Sequence, residues 1–92
     1  MTLNAPIGRL DVTQNVAFTA TAGTSNPVGA QTRKLRIVCT AAAFVRIGSG
    51  AATVADVYFP PNVPEYVICN PGQTVSAIQS VGAGSLSLTE VV

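Results

Sequence analysis

Residues 59–72 read FPPNVPEYVICNPG. Four prolines frame one short run, Glu65–Cys69, whose β-branched and aromatic residues favour an extended chain. Pro60, Pro61 and Pro64 lack an amide hydrogen and cannot donate to a sheet ladder, so they end one strand and steer the chain into the next. Asn70-Pro71-Gly72 closes that next strand. Proline presets the negative φ of the second turn position and glycine supplies the positive φ of the third, which predicts a type II turn. The stretch therefore reads as strand, rigid corner, strand and tight turn, the grammar of an all-β domain.

The same rhythm runs outward in both directions. Downstream, Thr74–Ser80 is predicted to pair back, Gly82-Ala83-Gly84 makes a turn, and Ser85–Val92 forms the last strand. In that strand Leu86 and Leu88 alternate with Ser85, Ser87 and Thr89, the clearest two-residue period in the chain. Upstream, Val57–Phe59 is a short strand preceded by small residues at 51–56. Ala43–Ile47 places Val45 and Ile47 on one side and Phe44 and Arg46 on the other, and Gly48-Ser49-Gly50 ends it. In Arg33–Thr40, Leu35, Ile37 and Cys39 alternate with Arg36, Val38 and Thr40, so one face points inward. Residues 22–32, AGTSNPVGAQT, read as a loop. Val16–Thr21 is the first strand, preceded by an extended piece at Ile7–Val12. Helix signals are absent: no segment of about a dozen residues combines 3–4 spacing, a cap and a closing glycine. The count is seven or eight strands in an antiparallel β-sandwich of the jelly-roll or Greek-key group. The domain is expected at residues 16–92, with residues 1–15 as an extended N-terminal arm whose Leu3, Pro6, Ile7 and Leu10 are apolar enough to lie on a partner.

Ninety-two residues make one domain near the lower end of what folds alone. Charged residues are 10% of the chain, against about 25% in an average soluble domain, while hydrophobic residues are 48%. A domain this small is mostly surface, and a net charge of +1 adds little repulsion between copies. Either neighbouring protein covers much of the exterior, or Ser, Thr, Asn and Gln solvate it; the first reading is preferred. No apolar stretch of about 18 residues exists to span a membrane, and the start, MTLNAPIGRLDVTQN, lacks the pattern of a signal peptide, which favours synthesis in the cytoplasm.

Catalytic equipment is sparse. Histidine is absent, so the commonest general base and metal ligand is missing. Asp11, Asp56, Glu65 and Glu90 are spread along the chain. Cys39 and Cys69 sit in apolar strand patterns and read as buried free thiols rather than a disulfide or a zinc site. The two glycine-rich runs open no helix and carry no P-loop lysine. The chain is thus read as not an enzyme, with no cofactor, metal or small-molecule substrate. Arg33, Lys34 and Arg36 form the one charge cluster, with Lys34 and Arg36 on an outward face. It is too narrow for nucleic acid and suits an acidic patch on a protein or plain solvation. Tyr58, Phe59 and Tyr66 flank the proline corner. Capping the end of the core is the preferred reading, and anchoring a partner or stacking on a sugar are the alternatives. The candidate interface residues are Leu3, Ile7, Leu10, Lys34, Arg36, Tyr58, Phe59 and Tyr66.

From Leu35 onward the chain resembles small virion proteins of tailed bacteriophages. The pieces are Leu35–Ile37, Val45–Gly48, the Ala/Thr loop Ala51–Ala55, the corner Pro60–Tyr66, Asn70–Gly72, Val75–Ile78 and Leu86–Glu90. The resemblance covers about the last two-thirds of the chain; residues 1–32 stand outside it. It implies a structural protein of the particle, expected on the capsid surface as a cement or decoration protein. Such proteins are commonly β-sandwiches that assemble as trimers and bridge neighbouring coat subunits. The implied partners are the major capsid protein and further copies of the chain. A head–tail or tail accessory role is the alternative, and a carbohydrate-binding module the one outside virion structure.

Overall fold

The computed structural model describes residues 10–91. Eight strands form: β1 (Leu10–Phe18), β2 (Gly23–Thr24), β3 (Lys34–Cys39), β4 (Ala43–Gly48), β5 (Val57–Phe59), β6 (Glu65–Ile68), β7 (Thr74–Gln79) and β8 (Gly84–Val91). They lie in two four-stranded antiparallel sheets, ordered β1-β8-β3-β6 and β2-β7-β4-β5. Strand 1 pairs with 8, 2 with 7, 3 with 6 and 4 with 5. That nested pairing is a hairpin wrapped around a barrel-like core, the jelly-roll member of the expected group.

Alternation sets the core. Leu35, Ile37 and Cys39 of β3 pair with inward residues of β8, where Leu86 and Leu88 are fully buried. Val45 of β4 and Val75 and Ala77 of β7 face them from the second sheet. Phe18, at the end of β1, fills the space where the sheets meet. Each of these large side chains contributes about 1.5–3 kcal/mol of transfer free energy.

The turn after β6 has the expected type II form. Gly72 has φ +82°, and the Gln73 amide donates to the Asn70 carbonyl at 3.2 Å. Three sequence expectations are corrected at their edges. The first strand ends at Phe18, not Thr21, because the Thr19 amide turns back to the Thr21 carbonyl. The loop expected at 22–32 contains β2, whose two residues pair with Ala77 and Ser76. Residues 10–15, expected in the arm, belong to β1, which pairs with β8 with a register shift between Leu10 and Thr13. Residues 1–9 of the expected arm lie outside the described residues.

The two long sides of the sandwich differ. On the β1/β2 side the sheets close on each other. A Cβ at Gly23 would lie 2.1 Å from the Ala17 carbonyl oxygen, and Gln14 exchanges two hydrogen bonds with the Asn26 backbone. On the β5/β6 side they stay apart.

Candidate functional site

Two surfaces stand out, one at an end of the sandwich and one along its open side.

The nested topology collects the β1–β2, β3–β4, β5–β6 and β7–β8 connections at one end. These are residues 19–22, 40–42, 60–64 and 80–83, and none carries a charge. Backbone hydrogen bonds lace this tip to the strand ends. Asn62 N–H donates to the Cys39 carbonyl at 2.7 Å, Thr40 N–H to Ser85 at 2.9 Å, Gln79 N–H to Thr19 at 3.0 Å and Ser80 N–H to Ala42 at 3.1 Å. Asn62, in the proline corner, adopts φ +61°, a left-handed conformation that asparagine tolerates well. Val63 and Val81 stand out from the tip at 44% and 89% exposure. The remaining tip residues are Thr, Ala, Pro, Ser, Gly and Asn, which have little rotamer freedom to lose on contact.

The open side carries an apolar cleft of about 340 Å³ between the sheets. Val45, Ile47, Val57, Phe59 and Val67 line it, with Arg46 and Asp56 at the rim. Arg46 Nε lies 3.1 Å from Asp56 Oδ2, and the Thr53 amide donates to the same oxygen at 2.8 Å. The Thr53 N–H and then the Arg46 guanidinium hold the Asp56 carboxyl below its usual range. Both rim charges are therefore spent on the 49–56 loop, where Ala52 N–H also reaches Ser76 Oγ at 2.9 Å. Among the described residues, the other five side chains lining the cleft are apolar.

Glu90 also serves the fold. It points inward from β8, is buried, and accepts hydrogen bonds from the Gly29 amide at 3.2 Å and from the Thr32 hydroxyl. Cys69 lies close by, its thiol pushed up by burial and then by the Glu90 charge. Both cysteines are free and buried. Cys39 ends β3 while the Cys69 amide bonds to Arg33 at its other end, so they are separated by about six residues of strand, roughly 20 Å. Among the described residues no group of three or more Cys, Asp or Glu converges.

Among the described residues, those singled out from sequence do not form one surface. Leu3 and Ile7 lie outside the described residues. Leu10 is exposed on β1, at the far edge of its sheet from β6. Lys34 and Arg36 face outward as expected, half-buried, on β3. Tyr66 pairs with Arg36 and lies on that same outer face. Tyr58 lies on the outer face of the other sheet, edge-on to Phe44 with ring centroids 5.8 Å apart. Phe59 is the correction: it pairs with the inward Ala43 and is buried, so it packs into the core at the cleft wall instead of standing exposed beside Tyr58 and Tyr66. Because Tyr58 and Tyr66 point away from each other, they make no shared platform for a sugar. Val57, Val63, Val67 and Val81 carry no sequence signal that marks them as surface residues. Strand alternation marks which face a residue occupies but not which side of a sandwich stays open.

The chain matches no protein-family model, no curated protein and no solved structure.

Proposed function

We propose that this chain is a non-enzymatic structural subunit of a tailed-phage particle, a cement protein on the head that bridges coat subunits. The observation that carries the reading is the uncharged, hydrogen-bonded four-loop tip with Val63 and Val81 at its crest. Such a tip meets another protein without burying an unpaired charge and with little ordering cost. A shell offers many identical sites, so a modest contact per copy gains by multivalency. The jelly-roll arrangement recurs in capsid domains as well as in lectins and cupins, so it adds support only by fold analogy. Scarcity of charge over the whole chain agrees with a surface that spends its life against protein.

The test uses purified phage heads and a Val63→Asp/Val81→Asp variant. Wild-type chain should bind expanded heads saturably, and the variant should bind at least about tenfold more weakly, since each aspartate must be desolvated at the contact. Its melting temperature should stay within a few degrees of wild type, because both positions are exposed loop residues. Absence of wild-type binding to heads, or full binding by the variant, overturns the proposal. Binding confined to tails would assign the accessory role.

A further inference from the structure

We infer that the open side of the sandwich is a self-association surface, on which a second copy of the chain pairs its β6 with β6 across a two-fold axis at Val67. This surface is separate from the tip, and pairing there is independent of any contact between the tip and a shell.

The backbone carries the argument. The Cys69 amide donates to the Arg33 carbonyl at 2.9 Å, so Cys69 faces β3. In an antiparallel ladder such residues alternate. Glu65, Val67 and Cys69 therefore spend their N–H and C=O groups on β3, while Tyr66 and Ile68 turn theirs to the outer edge, where no strand among the described residues pairs with them. An exposed edge of this kind is a template for another strand. A dyad at Val67 sets Tyr66 of one copy opposite Ile68 of the other, twice. All four free N–H groups and carbonyls are then paired, and Val67 meets its own copy at the centre.

Neighbouring registers fail. A dyad at Tyr66 would set Ile68 opposite Pro64, which has no N–H. A dyad at Ile68 would set Tyr66 opposite Asn70, whose N–H is already held by Gln73 Oε1 at 2.8 Å. The proline fence and the Asn70–Gln73 bond thus leave one register open and stop the edge from growing further.

Side chains fit the same geometry. Ile68, at 75% exposure, and Tyr66 form aromatic–aliphatic cross-strand pairs on the outer face. On the inner face the two clefts lie on the same side of the joined sheet, which covers Val57, 66% exposed in the single chain. Glu65 falls opposite Cys69, so no like charges meet. The contact is isologous and closes at two copies. The three-fold grouping implied by the resemblance would need another surface.

Three variants of the full chain test this by sedimentation and non-reducing electrophoresis. Val67→Cys should give a disulfide-linked dimer on mild oxidation, since a non-hydrogen-bonded pair brings Cα atoms within bridging reach. Ile68→Cys, which faces Tyr66, should cross-link far less, and wild type not at all. Tyr66→Lys/Ile68→Lys sets like charges opposite each other at both pairs and should weaken association at least about tenfold. Tyr66→Lys/Ile68→Glu sets opposite charges there and should restore the dimer. A wild-type chain that stays monomeric at high micromolar concentration overturns the inference. So does equal cross-linking of the two cysteine variants, or equal association of the two charge variants. None of these results bears on head binding, which the tip variant reads separately.

Discussion

Closure of one side of the sandwich rests on Gly23, and Gly23→Ala tests that directly. A Cβ there would sit 2.1 Å from the Ala17 carbonyl oxygen and 3.0 Å from Val16 Cγ1. Carbon and oxygen ordinarily approach to about 3.3 Å. The methyl group must therefore push β2 from β1 by roughly an ångström, and the obstacle is backbone that cannot rotate away. Overpacking of this kind costs about 1–3 kcal/mol. A 92-residue domain has roughly 5–14 kcal/mol of stability, so the loss is a substantial fraction. At about 4–8 °C per kcal/mol, a 2 kcal/mol loss lowers Tm by roughly 8–16 °C. Gly82→Ala is the matched control, because a Cβ there meets nothing within 4 Å among the described residues. Restricting the unfolded chain should leave it unchanged or more stable by up to about 1 kcal/mol. Urea titration and thermal melts of both variants give the comparison. If Gly23→Ala stays within about 0.5 kcal/mol of wild type, the β1/β2 side is not closed by this contact and the reasoning fails.

Thr32→Val removes the hydroxyl that donates to buried Glu90 and leaves a carboxylate oxygen without its partner, for an expected loss of about 1–3 kcal/mol in urea unfolding. Leu88→Ala opens the centre of the core beside Ile37 and should cost about 2–5 kcal/mol by the same assay. Burial pushes the Cys39 thiol up to about 11, so the folded state keeps it neutral. That contribution is fully present below the ordinary thiol value near 9 and is lost as pH rises towards 11, by about 2–3 kcal/mol in all. The difference between wild type and Cys39→Ala, followed from neutral to alkaline pH, should shrink over that window; a constant difference would refute the assignment. Iodoacetamide should label Cys39 only as fast as the chain unfolds.

Much of the strand plan was legible because turn chemistry and two-residue alternation are local. Asn70-Pro71-Gly72 could only turn one way, and Leu35, Ile37, Leu86 and Leu88 had to share one environment. β2 was illegible for the opposite reason. Gly23 and Thr24 carry no strand signal of their own and pair only because β7 lies beside them. In sequence Glu90 is one of four scattered acids, since its partners, Gly29 and Thr32, lie about sixty residues away in the chain. Phe59 neighbours Tyr58 in sequence but lies on the opposite face, because adjacent strand residues face opposite ways.

The amino-acid order alone determined an all-β sandwich, its turns, its core strands and its poverty of charge, because each follows from backbone preference, side-chain period or composition. Tertiary structure decided which side of the sandwich closes and which stays open, and that four uncharged loops share one tip. Those properties depend on which strands end up at the sheet edges and which connections meet at an end. Long-range pairing settles both, and no local preference encodes them.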